Sequence, residues 1–149
     1  MKEMKISSKE EFEKANVFGT GSPNTAYANC FIGESWLNKL TDGETCSVGL
    51  ANVTFEPGCR NNWHIHHASR GGGQILICTA GEGWYREEGK APVSLTAGTV
   101  ISIPANVKHW HGAKKDSWFS HIAFEIPGED TSTEWCEPVT DEEYRKLRD

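Results

Sequence analysis

Three histidines and a glutamine, set out as Gly58-x5-His64-x-His66-x7-Gln74-x6-Gly81 and followed by Gly98-x5-Pro104 and His109, carry the donor atoms of a metal site. Residues two apart on a strand face the same side, so His64 and His66 aim together, Ile65 aims away and His67 falls out of phase. Gln74 opens an apolar run, Ile75-Leu76-Ile77, and its amide oxygen can reach the same ion if the strands are neighbours. His109 supplies the third ring, and His111 repeats the two-residue spacing beside it. Imidazole nitrogens and an amide oxygen suit a divalent cation. Because all four donors are neutral, the full +2 charge stays uncancelled, which lowers the pKa of a bound water and attracts anions.

A further imidazole, His121, lies on the run Trp118 to Glu125. Period-two geometry puts it on one face with Phe119 and Ala123, while Ile122 and Phe124 pack opposite. An imidazole titrating near neutrality beside a metal can act as a general base; the alternative is a structural histidine bonded to a backbone carbonyl. His111 is the second catalytic candidate. Arg60 and Arg70 flank the mouth, either as attractors of a carboxylate or as solvated charges. Trp63, Trp84, Trp110 and Trp118 read as core filler, with Trp110 turned away from His109 and His111. Cys59 and Cys78 read as small hydrophobes, and Lys114-Lys115-Asp116 as a solvated turn.

The elements that must position these groups are mostly strands. Ser8-Lys9-Glu10-Glu11 and Thr140-Asp141-Glu142-Glu143 have the form of capping boxes and predict short helices over about 9–15 and through about Arg148. Between them, short runs bounded by Gly or Pro predict strands: Thr45 to Phe55, Asn62 to His66, Gly73 to Ala80, Gly83 to Glu87, Ala91 to Leu95, Thr99 to Ile103, His109 to Gly112 and Trp118 to Glu125. Such spacing predicts an all-β sandwich or barrel. At 149 residues the expectation is one domain, 1–149, with its barrel core over about 45–126.

Charge and cysteine usage narrow the function classes. Fifteen Lys plus Arg against twenty-one Asp plus Glu leave −6, with no basic run beyond Lys114-Lys115, so nucleic acid is not an expected partner. Five scattered cysteines without a C-x-x-C pair suggest neither a disulfide scaffold nor a thiolate zinc site, and fit a reducing cytoplasm. The charged start, Met1-Lys2-Glu3-Met4-Lys5, has no signal-peptide character, and no run approaches the roughly 20 apolar residues that span a bilayer. A small-molecule substrate is expected. Exposed sheet edges and surplus aromatics predict a homodimer or higher homo-oligomer.

The spacing resembles the two motifs of the cupin superfamily, G-x5-H-x-H-x3,4-E-x6-G and G-x5-P-x-G-x2-H-x3-N. Gly58 to His64, Gln74 to Gly81 and Gly98 to Pro104 fit in register. Glutamine stands for the acidic ligand, seven residues instead of three or four separate His66 from Gln74, and Asn106 and Ala113 stand for glycine and asparagine. The surplus, Ala68-Ser69-Arg70-Gly71-Gly72-Gly73, reads as a flexible bulge. A narrower resemblance is to small bacterial cupins that include manganese-dependent hydroxynitrile lyases and cupins associated with carboxymuconolactone decarboxylase. It is carried by Thr54-Phe55-Glu56-Pro57-Gly58, Trp63-His64-x-His66, Gly73-Gln74 through Gly83-Trp84, Lys108-His109-Trp110-His111-Gly112-Ala113, His121-x-Ala123 and Val139-Thr140-Asp141-Glu142-x-Tyr144. It implies a single-domain jelly-roll barrel, metal ligands His64, His66, Gln74 and His109, and His121 as base. It implies a lyase acting on a small carbonyl or cyanohydrin-like substrate with manganese, although iron, nickel and zinc suit the same donors. Cupin folds also host metal-dependent oxygenases and non-catalytic ligand-binding modules, so architecture alone does not select the reaction.

Overall fold

The computed structural model describes residues 4–149, so the charged opening at Met1-Lys2-Glu3 lies outside the described residues. The N-terminal segment holds α1 (Lys9–Ala15), β1 (Ser22–Pro23), β2 (Phe31–Ile32) and β3 (Ser35–Lys39). The strands that enclose the site follow: β4 (Leu50–Phe55), β5 (Arg60–Asn61), β6 (His64–His67), β7 (Arg70–Gly71), β8 (Gln74–Glu87), β9 (Val93–Thr96), β10 (Val100–Ile103), β11 (Lys108–Ala113) and β12 (Phe119–Glu125). The chain closes with β13 (Gly128–Glu129), β14 (Ser132–Trp135) and α2 (Asp141–Arg145). This is the expected all-β fold with short terminal helices, curled from antiparallel pairs. Ser8 and Thr140 cap the two helices through their hydroxyls, as expected, but α2 ends at Arg145 rather than near Arg148.

β8 is the spine. Its first half lies between β12 and β10, and its second half between β9 and β11, so it belongs to both walls. Gly81 sits at the corner with φ +72, and a Cβ there would lie 1.7 Å from the Trp118 carbonyl oxygen. Only glycine lets the backbones pass this closely. The sequence predicts two strands, Gly73 to Ala80 and Gly83 to Glu87; they are one, because the corner bends the strand without ending it. The expected strand from Thr45 begins only at Leu50, and β1, β2, β3, β5, β7, β13 and β14 lie outside the strands predicted from sequence.

Apolar side chains fill the barrel and cover its outside. Phe55, Leu76, Leu95, Ile103 and Phe119 are buried in the interior. Outside one wall, α1 lays Phe12 on Ala80 and Trp118; outside the other, Trp63, Trp84 and Trp110 pack on Val139 and Tyr144 of the C-terminal tail. The four tryptophans are packing residues, and Trp110 faces away from the histidines on either side. Cys59 and Cys78 are buried free thiols within the core. Beneath α1, Asn16 joins Thr54 and Asn52 by hydrogen bonds of 3.0 and 2.9 Å, which fixes the helix end to the sheet.

Lys114 is no solvated turn residue. Its ammonium is buried, donates to Glu82 at 2.8 Å and to Asp149, and lies 4.7 Å from the Trp84 ring centre. Glu82 also accepts from the Met4 backbone, so both chain ends meet at one buried ion pair. Removing one partner leaves the other charge desolvated and uncompensated. Lys114→Met is therefore expected to lower unfolding free energy by roughly 3–5 kcal/mol in urea titration, and Lys114→Met with Glu82→Leu to recover much of that loss.

Candidate metal centre

Four strands deliver the site. β6 and β11 pair with His64 opposite His109, which sets their ring centres 4.2 Å apart. His66 lies 5.1 Å from His64 and 5.3 Å from His109. His111, next on the same face of β11, lies 5.5 Å from His64. One ring nitrogen from each of His64, His109 and His111 falls within 4.8 Å of the other two. Gln74, the first residue of β8, is buried and lines the same cavity as His64 and His66. The structure thus places His64, His66, Gln74 and His111 around one cavity, with His109 beside His64.

Hydrogen bonds decide which nitrogens are free. His64 Nδ1 lies 2.8 Å from the Asn62 carbonyl and His109 Nδ1 2.9 Å from that of Val107. A carbonyl only accepts, so each ring carries its proton on Nδ1 and keeps the Nε2 lone pair. His66 Nδ1 lies 3.3 Å from Thr133 Oγ1, a hydroxyl that can either accept or donate. His66 Nε2, His109 Nε2 and Gln74 Oε1 are buried without a hydrogen-bond partner. Leaving such groups unsatisfied costs about 1–3 kcal/mol each. A divalent cation could satisfy such groups, and ligating histidines characteristically donate their other nitrogen to oxygens like these. By proximity His111 rivals His66 as the third imidazole, but its nitrogens are engaged elsewhere.

His111 Nδ1 lies 3.1 Å from His121 Nε2, and both rings are fully or nearly fully buried. Asn61 holds His111 from behind, accepting its backbone N–H at 2.9 Å and setting its amide 3.3 Å from the ring. Phe55 packs on both imidazoles. Burial dominates the acid–base behaviour: it pushes His109 and His121 down to about 4, and lowers His64, His66 and His111 as well. His121 therefore does not titrate near neutrality as the sequence suggests, because an imidazolium there would be desolvated.

His64, His66, Gln74, His111 and His121 line a cavity of about 610 Å³. One wall is aromatic, with Trp135 stacked on His64 at 4.7 Å and Tyr27 and Phe31 tilted against Trp135. Glu125 stands at the rim, hydrogen-bonded to Gln74, and its charge partly offsets the lowering at His66. Sequence reasoning missed Asn61, Thr133, Trp135 and Glu125. The alternation that places His121 and Ala123 inside, carried two residues further, points to Glu125; β14 left only its Thr and Trp content as a signal.

Other expectations are corrected. Arg60 is buried, bonded to the Val139 carbonyl and Asp141 and stacked 4.5 Å from the Tyr144 ring centre, so it is no mouth residue. Arg70 is exposed and pairs with Glu129. The glycine-rich insertion is not a free bulge: β7 pairs with β13, and the Asn106 side chain bonds both the N–H and carbonyl of Ala68. Asn106, where the cupin motif has glycine, has φ 69, a left-handed conformation that asparagine tolerates.

Residues 51–120 match the profile of the Cupin domain. The chain is also 43% identical over 129 residues to an (R)-mandelonitrile lyase of Granulicella tundricola, covering 86% of this chain and 95% of that one. The chain belongs to the cupin family. Among solved structures, this cupin is similar to a cupin-like protein of Thermotoga maritima, with TM-score 0.75 and 41% identity over 87% of this chain and 95% of the other. A cupin 2 conserved barrel domain protein of Rhodopseudomonas palustris aligns at TM-score 0.62 and 14% identity, covering 85% and 81%, and shares the fold alone. No helix among the described residues is long and apolar enough to cross a membrane.

The buried imidazoles make this cupin's stability depend on pH. Their folded pKa values lie below the unfolded value near 6.5, so between the two the unfolded chain binds more protons and stability falls with pH. Each such ring contributes a loss of up to about 1.4 kcal/mol per pH unit. In metal-free protein the urea midpoint is expected to drop between pH 7.0 and 5.5, before most carboxylates titrate; an unchanged midpoint would contradict the burial of neutral rings.

Proposed function

We propose that this cupin is a metal-dependent lyase that cleaves a cyanohydrin of an aromatic aldehyde, with His64, His66, Gln74 and His109 as metal ligands and His121 as base. The observation that carries the reading is the His111–His121 pair, two buried imidazoles 3.1 Å apart opening on the cavity that holds the ligand cluster. The relative named for mandelonitrile cleavage supports the reaction class. His64, His66, Gln74 and His109 would hold a divalent cation such as manganese, which when bound would supply Lewis-acid stabilisation of a developing negative charge on oxygen.

His121 takes the hydroxyl proton. The electrons of that O–H bond form the carbonyl, the bond to the nitrile carbon breaks, and its pair leaves on cyanide, which takes the proton back from His121 to depart as hydrogen cyanide and leaves the ring neutral again. Burial keeps His121 neutral at pH 7, so its lone pair is available, and His111 fixes the ring through their shared hydrogen bond. Trp135, Phe31 and Tyr27 offer flat apolar surface for the aryl body, and Val53 and Ala123 add apolar lining to the same cavity. No redox change of the metal is needed, so the same rate is expected under air and argon.

The test loads purified protein with manganese and follows benzaldehyde release from mandelonitrile. His121→Ala is expected to lose about 10²–10⁴-fold in turnover with its metal content unchanged. Undiminished turnover by that variant, or oxygen consumption matching product, would remove this assignment in favour of a ligand-binding or oxygenase role.

A further inference from the structure

The acidic ligand that a glutamine replaces in this chain has a carboxylate standing one hydrogen bond behind it. Gln74 and Glu125 are direct cross-strand partners in the β8–β12 register, and Gln74 Nε2 donates to Glu125 Oε1 at 2.6 Å. A carboxamide can present either its oxygen or its N–H groups to a cavity. A carboxylate only accepts, so it binds the N–H side and leaves the oxygen for the opposite direction. That oxygen, Gln74 Oε1, is buried without a hydrogen-bond partner, and Gln74 lines the same cavity as His64 and His66. A charged acceptor on the amide nitrogen also increases electron density on the amide oxygen. Glu125 itself is exposed at the rim, where its charge costs little to maintain.

We infer that Glu125 is a positioning residue that holds the Gln74 carboxamide oxygen-inward and lends the metal site, through that amide, the negative charge its ligands lack. Glu125 is not itself a ligand. The inference rests on the metal-ligand reading above and adds the residue that makes Gln74 a donor. It explains how a neutral glutamine serves at a position where the motif carries an acid: the acid has moved one strand over, and the amide relays it.

Titration of metal-free protein with manganese alone, followed by calorimetry and by the electron paramagnetic resonance line shape of the bound ion, tests this without any substrate. Glu125→Gln is expected to weaken manganese binding by about 10–100-fold, the range for residues that orient ligands. Exchanging the pair, Gln74→Glu with Glu125→Gln, returns the carboxylate and keeps a hydrogen bond, and should restore affinity to within about threefold. In a Gln74→Ala background, Glu125→Gln should cost less than about twofold, because the relay is already gone. Thermal melts of each apo variant check folding. Wild-type affinity in Glu125→Gln, or an equal loss with and without Gln74, overturns the relay alone. Failure of the wild-type protein to bind manganese, with zinc as a second arm, overturns the ligand reading together with it.

Discussion

Five imidazoles buried inside one curled sheet impose the constraint around which the rest is arranged. A desolvated ring must stay neutral, and its single N–H must find an acceptor. His64 and His109 solve this identically: each donates Nδ1–H to the carbonyl two residues before it, Asn62 and Val107, on two strands that face each other in register. The repeated geometry turns both Nε2 atoms toward the same space. His66 needs outside help, which comes from Thr133 on β14. His111 and His121 share one hydrogen bond, which leaves His121 Nδ1 buried without a partner.

Holding that arrangement requires walls that do not shift. β8 contributes to both walls, and the turn at Gly81 fixes the angle at which Gln74 at one end and the β11 partners at the other approach the cavity. The outside is sealed by two separate apolar clusters, one under α1 and one under α2, and the buried pair Lys114–Glu82 gathers both chain ends against the second wall. Charged groups are thus used at the periphery to fasten the termini, while the interior keeps uncharged donors.

The cavity is assembled from parts far apart in the chain. Tyr27 and Phe31 arrive before the first long strand, Trp135 after the last one, and together they form an apolar wall against the imidazoles. Glu125 at the rim places one negative charge beside otherwise neutral donors.

What the sequence determined by itself was periodic and local. Alternation along each strand set which face His64, His66, His109, Trp110 and His121 occupy, and hydroxyl caps placed the starts of both helices, because these depend on neighbours two to four residues away. The spacing of the two motifs carried the family and with it the barrel. Tertiary structure decided what depends on partners distant in the chain: the fusion of two expected strands through Gly81, the burial of Lys114 and Arg60, the depressed basicity of His121, and the contacts of Thr133, Trp135 and Glu125 with the site. Burial and long-range hydrogen bonds have no local period, so a residue such as lysine reads as solvated until the opposite wall is seen to supply its counter-charge.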